Sequence, residues 1–394
     1  MKGPAEIDVR ALHDWLSAHR DLLVADLGEL VGLETPSDDP ALLARGLDWL
    51  ETWVGERLGA TTRRSLTAGG RHGSALVLEF AGDGAAPVVL LGHYDTVWPA
   101  GTLAEWPYTV DGDTASGPGV FDMKAGLVQA VWGLRALAHT GHEAPPVRLV
   151  LTGDEEIGSP VSRPVIERAC ADAAAVLVFE GSASGALKTA RKGVGIFELT
   201  VTGREAHAGL EPEKGASAID ELARAVLALH ALNDRETGTS VNVGLVRGGT
   251  ASNVVAGRAW AQVDVRVRSR AEESRIDAAL TALSTRDSRA GLRIAGGWNR
   301  PVMERSEGIA ALAALAEAAA GRLGRTLGEA AVGGASDGNF VAALGVAVLD
   351  GIGAVGDGAH ARHEHVSIPA LAERAAVAAA VIGRFARDSR RAGE

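Results

Sequence analysis

Short apolar runs rich in valine and leucine alternate with helical patterns through the first half of the chain. Such alternation is typical of a mostly parallel sheet covered by helices. Residues 123–139 have the length and composition of a helix, and residues 163–170 resemble the start of another. We therefore expect an α/β domain. The clearest apolar runs predict strands at 74–80, 87–91, 147–152 and 175–180.

A different pattern begins at about Thr189. With a last strand near Leu292, its elements follow the order βαββαβ. That order suits a small antiparallel sheet with two helices on one face. Segments that alternate like half-buried strands lie at 193–203, 240–246 and 258–267, and helical patterns lie at 215–232 and 271–284.

The pattern after Pro301 returns to that of the first half. A helix and a Gly-rich turn lead to an apolar strand at 341–349 and to a C-terminal helix from Pro369. We interpret this part as the α/β domain resuming, so that the small α+β domain is an insertion. The predicted division is 1–188 and 300–394 for the larger domain and 189–299 for the inserted one.

Length, charge and cysteine content narrow the class of protein. The 394 residues exceed what one hydrophobic core commonly supports, about 250–300 residues. The net charge of −11, from 50 acidic and 39 basic residues, repels phosphate backbones, so we expect no nucleic-acid partner. Cys170 is the only cysteine, so a metal site must be built from His, Asp and Glu.

The first twenty residues predict an amphipathic helix with Trp15 and Leu16 facing the core. They lack the continuous apolar stretch of a signal peptide. No apolar run elsewhere reaches the roughly 20 residues that a membrane-spanning helix needs. We therefore expect a cytoplasmic protein with no membrane partner.

Two candidate metal positions lie in the first half of the chain. VVLLGHYDTV places His93 and Asp95 two residues apart at the end of a strand, where both side chains point to the same side. A carboxylate there can orient an imidazole that binds metal, although a histidine after a strand is more often structural. GPGVFDMKAG places Asp122 in a turn ahead of a helix, where an N-cap is the common alternative.

More carboxylates and imidazoles cluster further along. The three adjacent carboxylates of LVLTGDEEIGSP follow an apolar strand and repel one another unless cations or solvent offset their charge. Glu180 ends the next strand, an unusual place for an unpaired buried carboxylate. The late segment GDGAHARHEHVSI is either an exposed loop or a metal site with spare histidines. These clusters comprise Asp154, Glu155 and Glu156, and His360, His363 and His365.

The strand-end positions and the late histidine together fit two metal ions that share a bridging carboxylate. A ligand set of oxygens and imidazole nitrogens favours zinc, with cobalt or manganese as substitutes. One further carboxylate must remain outside the set of metal ligands to act as a base.

The combination of motifs resembles one family. HYDTV, GPGVFDMKAG, TGDEEIGSPVSR, KGVG, AHAG and GAHARHEHV occur in the order and approximate spacing of the metallopeptidase family that contains glutamate carboxypeptidase, aminoacylase, acetylornithine deacetylase and succinyl-diaminopimelate desuccinylase. The similarity covers nearly the whole chain, and HYDTVWPAGT and DEEIGSPVSR are closest to the glutamate carboxypeptidase branch. It implies a catalytic domain in 1–188 and 300–394, a lid and dimerisation domain in 189–299, and two zinc ions.

The resemblance implies five metal ligands. Asp122 would bridge the two ions, with His93 and Glu180 on one ion and Glu156 and His360 on the other. In the last motif the family has a histidine followed four residues later by a glutamate, which fits His360 with Glu364, whereas His363 and His365 depart from the pattern.

The remaining motif residues would act on the reaction or the substrate. Glu155 matches the general base, and Asp95 matches the residue behind the His93 imidazole. His207 in REAHAGLEP matches a donor to the developing oxyanion. The lid residues that match substrate-binding positions are Asn253 and Arg266, with Arg268 on the same face as a competitor for the arginine role.

The implied reaction is hydrolysis of an amide bond. Two metal ions would hold a bridging water, lower its pKa and polarise the scissile carbonyl. Glu155 would take the water's proton and deliver it to the leaving nitrogen. The expected substrate is a small peptide or an N-acyl amino acid, with release of a C-terminal amino acid, and the alternative is an N-acyl amino acid deacylase.

A serine hydrolase and a non-catalytic binding subunit are the two alternatives to a metal-dependent amide hydrolase. GASDG at 334–338 satisfies the G-x-S-x-G pattern of a serine hydrolase, with Ser336 as nucleophile. That motif needs a strand before it, whereas an Ala-rich helical pattern precedes it here. A non-catalytic binding subunit is disfavoured because no proposed ligand or base is replaced.

The inserted domain also predicts an assembly. Exposed sheet edges invite pairing, and two-fold dimers are the commonest assembly, so we expect a homodimer. The resemblance points the same way. In such a dimer His207 would reach the neighbouring subunit's metals, although action within its own chain stays open.

Overall fold

A computed structural model describes residues 7–386, and these form two compact units. Within the described residues, the larger unit comprises 7–190, Arg305–Val332 and 336–386. The smaller unit comprises Arg191–Glu304 and Gly333–Ala335. The first six residues of the predicted N-terminal helix lie outside the described residues, and the helix itself is Val9–Ala18. The catalytic and lid roles given to the two segments remain predictions.

The helices and strands are numbered in chain order. The helices are α1 Val9–Ala18, α2 Arg20–Val31, α3 Pro40–Leu58, α4 Thr102–Glu105, α5 Ala125–His139, α6 Arg163–Cys170, α7 Ala218–His230, α8 Arg270–Ala282, α9 Glu307–Arg322, α10 Gly338–Ala343 and α11 Ile368–Gly383. The strands are β1 Arg63–Thr67, β2 Ala75–Phe80, β3 Val88–His93, β4 Thr109–Asp111, β5 Thr114–Ser116, β6 Val147–Thr152, β7 Ala175–Val178, β8 Leu187–Arg191, β9 Gly193–Thr202, β10 Ser240–Gly248, β11 Arg258–Val267, β12 Gly291–Arg300, β13 Glu329–Val332, β14 Val348–Asp350, β15 Gly356–Asp357 and β16 His365–Ser367.

An eight-stranded sheet forms the centre of the larger unit, in the order β1-β2-β6-β3-β7-β14-β8-β13. Its central strands β6, β3, β7 and β14 run parallel. Every residue of β3 is buried, as expected for a strand covered on both faces. The antiparallel pairs β1-β2 and β2-β6 continue the sheet on one side. The predicted α/β class with a mostly parallel sheet is confirmed.

Helices α5 and α11 pack together against this sheet. Both are rich in alanine, which lets their backbones approach closely. A Cβ atom added to Gly133 would lie 3.0 Å from the Ala375 carbonyl oxygen. Trp132 is fully buried beside this contact, and its indole N–H donates to Asp26. These contacts hold the middle of α5, the helix that directly follows the turn carrying Asp122.

The smaller unit has the predicted βαββαβ order, in β9, α7, β10, β11, α8 and β12. Its four strands form an antiparallel sheet in the order β10-β11-β9-β12. Alternate residues of β9 and β11, such as Leu199 and Val263, join α7 and α8 in a separate hydrophobic core. The predicted α+β architecture of this part is confirmed.

A third, four-stranded antiparallel sheet lies in the larger unit, in the order β15-β16-β5-β4. It pairs a segment near residue 115 with one near residue 366. The loop between β15 and β16 carries His360. The sequence pattern did not predict this sheet, because its strands are only two or three residues long.

The predicted strand at 341–349 is wrong over most of its length. Helix α10 occupies its start and buries Phe340 and Val341, and the chain becomes extended only at β14. Gly345, at φ +79°, lies between the two elements, in a conformation that favours glycine. An apolar run of this length is compatible with a buried helix turn as well as with a strand, which explains the error.

No helix among residues 7–386 combines the length and the apolar character required to cross a lipid bilayer.

Candidate metal centre

The larger sheet brings three chain segments together at one edge. Strand β3 lies between β6 and β7 and is parallel to both. His93 is the last residue of β3, the turn Glu155–Ile157 follows β6, and Glu180 follows β7 by two residues. Because parallel strands end on the same side, these side chains converge at the carboxyl edge, where open α/β sheets bind ligands.

A first triad joins His93, Asp122 and Glu180, each offering one ligand atom within 4.8 Å of the others. The His93 Nε2 atom lies 3.3 Å from Asp122 Oδ1 and 3.5 Å from Glu180 Oε1. This Nε2 atom is buried and forms no hydrogen bond. The three ligand atoms therefore lie close enough together to share a common centre.

A second triad joins Asp122, Glu156 and His360 within the same limit. The His360 Nε2 atom lies 3.2 Å from Asp122 Oδ2 and 3.1 Å from Glu156 Oε2. Asp122 thus presents one carboxylate oxygen to each triad. His360 has a φ of +60°, an uncommon conformation for a residue other than glycine. The structure brings together all five residues that the sequence singled out as metal ligands.

The pKa values of several side chains in these triads lie far from their usual ranges. Burial disfavours the charged His93 imidazole, but Asp122, Asp95 and Glu180 outweigh burial and hold its pKa well above the usual range. Asp122 and Glu156 raise the pKa of His360 to about 10. Burial raises the pKa of Glu156 to about 7. The convergent carboxylates therefore favour positive charge on the groups between them.

Asp95 organises this edge of the sheet and is fully buried. Its two oxygens accept the backbone N–H groups of Glu155 and Glu156, each at 3.2 Å, and one also accepts the Ser37 hydroxyl at 2.8 Å. The His93 Nδ1 atom lies 3.0 Å from the Asp95 carbonyl oxygen and 3.5 Å from its carboxylate. The nearer partner of His93 is thus the main chain, and Asp95 also fixes the turn after β6.

The three adjacent carboxylates after β6 have different surroundings. Asp154 is fully buried, and its Oδ2 accepts the backbone N–H groups of Val161 at 2.6 Å and Ser162 at 3.1 Å. It thereby closes the loop that follows the turn. Glu155 and Glu156 are only partly buried. Sequence reasoning missed the structural role of Asp154, for which its position directly after an apolar strand was the only signal.

Asp122 does not cap helix α5. The helix begins at Ala125 without a side-chain cap, and the Asp122 carboxylate instead lies beside the two histidines.

The two histidines that depart from the late motif lie outside both triads. His363 is exposed, and His365 Nδ1 contacts the His363 carbonyl oxygen at 2.9 Å. The choice of His360 among three nearby histidines thus agrees with the geometry.

The predicted substrate residues lie in the smaller unit. His207 is exposed, and its Nδ1 accepts the backbone N–H groups of Gly209 and Leu210, each at 3.2 Å. Asn253 is exposed as well, and its carbonyl oxygen accepts the N–H of Ala208 at 2.9 Å. Backbone pairing therefore places His207 and Asn253 side by side, although they are far apart in sequence.

The guanidinium of Arg266, on β11, donates two hydrogen bonds to the Asp264 carboxylate, with N–O distances of 2.9 Å and 3.0 Å. Both side chains remain partly exposed. The guanidinium that the sequence assigned to a substrate carboxylate thus has a carboxylate partner two residues away on the same strand face. A substrate would have to share or replace that partner.

The chain matches a known peptidase family over most of its length. The profile described as peptidase family M20/M25/M40 matches residues 89–384. The chain belongs to this family. Carboxypeptidase G2 from Pseudomonas sp. (strain RS-16) is 31% identical over 370 residues, which cover 91% of this chain and 88% of that protein. The family membership inferred from the motifs is confirmed.

Solved structures share the fold. Aminopeptidase PepT from Bacillus cereus superposes with a TM-score of 0.78 at 22% identity, covering 93% of this chain and 99% of that one. The YxeP protein of Bacillus subtilis, a dinuclear metal-binding peptidase of the M20 family, has a TM-score of 0.64 at 15% identity, covering 93% and 98%. This M20 protein is a metallopeptidase or amidohydrolase.

The serine hydrolase alternative fails for a reason other than the one the sequence suggested. A strand, β13, does precede GASDG and a helix, α10, follows it, so the objection from local pattern was wrong. However, Ser336 is fully buried, and its hydroxyl donates to Asp350 at 2.5 Å. Ser336 in this M20 protein is therefore not placed as an exposed nucleophile.

Proposed function

We propose that this M20 enzyme hydrolyses the amide bond of a small peptide or N-acyl amino acid and releases the C-terminal amino acid, as a glutamate carboxypeptidase-like enzyme. The observation that carries the proposal is the pair of triads sharing Asp122, in a chain that is 31% identical to carboxypeptidase G2 over 91% of its length. Amide hydrolysis is what such a centre suits chemically.

The residues fit two metal ions. The buried Nε2 of His93 and the buried Oε1 of Glu156 have no hydrogen-bond partner, and both atoms belong to metal-ligand types. Cations between the ligand atoms would satisfy both and offset three carboxylate charges. The nitrogen and oxygen ligands favour zinc, with cobalt or manganese as substitutes. When bound, the metal ions would supply Lewis-acid activation of water and of the substrate carbonyl.

Glu155 is the base in this proposal. It neighbours the ligand Glu156, and hydrogen bonds from both of their backbone N–H groups to Asp95 hold the two residues in one turn. Glu155 lies outside both triads, and its proposed role is to take a proton from water and deliver it to the leaving nitrogen. Asp95 is a positioning residue, because it acts through His93 and this turn.

His207 is the proposed donor to the developing oxyanion. Because its Nδ1 accepts two backbone N–H groups, the ring proton resides on Nε2. That tautomer leaves Nε2–H as a donor. Asn253 and Arg266 would bind the substrate, with Arg266 directed to its terminal carboxylate through two parallel hydrogen bonds.

A homodimer also forms part of the proposal. Strand β10 lies at the edge of its sheet and exposes Leu245 and Val246. Leu227, on the neighbouring helix α7, is 72% exposed. Apolar side chains beside an unpaired strand edge suit pairing with a second copy of the chain. His207 would then complete the site of the partner subunit.

The deciding experiment is a matched substrate series with zinc supplied. One arm fixes a C-terminal glutamate and varies the acyl partner from acetyl to aminoacyl and aromatic acyl groups. The other arm compares each substrate with its C-terminal amide. We expect hydrolysis to be faster with a free terminal carboxylate than with the C-terminal amide, and to prefer the larger acyl partners. A preference for acetyl over all larger groups would favour the deacylase alternative, and no amide hydrolysis at all would overturn the proposal.

A further inference from the structure

Glu364 is a fully buried glutamate outside both triads. Its carboxylate accepts four N–H groups, two on each oxygen. Oε2 accepts the Trp98 indole N–H and the Gly119 backbone N–H, each at 3.0 Å. Oε1 accepts the backbone N–H groups of Phe121 at 2.8 Å and Asp122 at 3.0 Å. All four lone-pair directions of the carboxylate are therefore used.

These bonds converge on the turn that presents Asp122. Helix α5, which follows the turn, has no side-chain cap. The N–H groups of Gly119, Phe121 and Asp122 would otherwise be buried donors, each costly to leave without an acceptor. Glu364 supplies the acceptors for all three and so fixes the backbone from which the Asp122 carboxylate projects.

The same residue is tied to the loop that carries His360. Glu364 lies four residues after His360, and its N–H donates to the Ala361 carbonyl oxygen at 2.9 Å. The Ser116 hydroxyl donates to the Glu364 carbonyl oxygen at 2.7 Å. A single side chain thus joins two segments, about 240 residues apart in sequence, that provide two of the three ligands of the second triad.

We propose that Glu364 is a positioning residue that holds Asp122 and His360 at the spacing needed to bind metal in the second triad. The inference rests on the metal-ligand assignments proposed above. Glu364 touches neither the metal ions nor the substrate in this account. Residues that orient metal ligands from behind them commonly contribute about 10- to 100-fold in metal affinity.

Glu364→Gln is the sharpest substitution. It keeps the size of the side chain but replaces one acceptor oxygen with an NH₂ donor, which would face two N–H donors. The second triad should be affected more than the first, because it depends on both Asp122 and His360, whereas the first depends only on Asp122.

The test is zinc titration against a chromophoric chelator, which reports affinity independently of activity. Wild type should bind two Zn²⁺ ions per chain. Glu364→Gln should bind one of them about 10- to 100-fold more weakly, with a smaller change at the other. The matched control is Glu221→Gln: Glu221 is buried in the smaller unit and likewise accepts two backbone N–H groups, from Arg286 at 2.8 Å and Asp287 at 2.9 Å.

Circular dichroism establishes that each variant is folded. Unchanged zinc affinity in folded Glu364→Gln, or an equal loss in Glu221→Gln, overturns the positioning role. If Glu364→Gln does not fold, Trp98→Phe decides. That variant removes one donor and should weaken one zinc site about 2- to 10-fold, and unchanged binding would overturn the role. Failure of wild type to bind two Zn²⁺ ions would instead reject the proposed metal site itself.

Discussion

The two units hold their candidate functional residues in opposite ways. In the larger unit His93 is 2% exposed and Asp95 is fully buried, and both have several side-chain and backbone partners. In the smaller unit His207 and Asn253 are exposed and are placed mainly by backbone pairing. Residues that must hold ions at fixed spacing gain from rigid burial, whereas residues that must meet a substrate from solution have to remain accessible.

This contrast implies two classes of variant. Changes to the metal ligands, all of which lie in the larger unit, should alter metal content, because the ligands share one bridging carboxylate and cannot adjust independently. Changes in the smaller unit should alter rate or substrate affinity while both metal ions remain bound.

Metal removal should have the largest effect. Dialysis against a strong chelator should abolish amide hydrolysis, and added zinc or cobalt should restore it, since all five proposed ligands lie in the larger unit. Metal analysis of each preparation accompanies the assay. A serine-acylating inhibitor should have no effect, because Ser336 is buried. Full turnover by a verified metal-free enzyme would reject the two-metal centre.

Glu155 and Glu156 separate two roles within the larger unit. Glu155→Gln should keep both metal ions yet lose about 10²- to 10⁴-fold in rate, the usual contribution of a general base. Glu156→Gln should lose metal, because it removes a ligand of the second triad. Metal content and kcat measured on both variants decide the matter. The reverse pattern would mean that the two roles are exchanged.

His207→Ala should lower kcat by about 10²- to 10³-fold, the usual cost of one oxyanion donor, while both metal ions remain bound. The control is metal content measured on the same sample. Loss of metal in this variant would contradict the division between the units.

Mixing Glu155→Ala with His207→Ala tests whether His207 acts across a dimer interface. In a mixed dimer, the subunit carrying His207→Ala keeps its own Glu155 and borrows His207 from its partner. Random exchange makes about half of the dimers mixed, so about a quarter of all sites should recover. Demonstrated heterodimers without any gain in activity would place His207 in its own chain's site.

Arg266→Ala should have a smaller effect, about 10- to 100-fold on kcat/KM, from the loss of two hydrogen bonds to a substrate carboxylate. The effect should disappear with substrates that carry a C-terminal amide, because the partner is then missing in both enzymes. Arg268→Ala is the matched control and should change little. A larger effect in Arg268→Ala would transfer the assignment to that residue.

Ser336→Ala should affect activity least. Removing the hydroxyl takes one donor from buried Asp350 and one acceptor from the Gly338 N–H, so the free energy of unfolding should fall by about 1–3 kcal/mol. Urea unfolding measures that loss, and kcat should stay near the wild-type value. Loss of activity in a folded, metal-loaded variant would instead support Ser336 as the catalytic nucleophile.

Several errors and omissions have a common physical cause. The apolar run at 341–349 was interpreted as a strand because local hydrophobicity does not distinguish a buried helix turn from a buried strand. Glu364 received no role, because its four donors come from segments around residues 98 and 119–122. Its function becomes visible only when those segments meet.

The order of amino acids along the chain is enough to identify the side chains available for chemistry and the elements that carry them. The alternation of apolar runs and helical patterns determined the α/β class, and the order of the motifs around His93, Asp122, Glu156, Glu180 and His360 determined the family. Local pattern suffices there, because periodicity and motif spacing are properties of the chain itself.

How those side chains meet depends on contacts between segments that are distant in sequence. Parallel pairing of β6, β3 and β7 brings the strand ends to one edge, and the small sheet between residues near 115 and 366 returns His360 to Asp122. In the folded chain Asp154 accepts a backbone N–H group of the following loop, and the buried Ser336 hydroxyl donates to Asp350. Burial and hydrogen-bond partners arise from contacts between distant segments, so no local pattern encodes them.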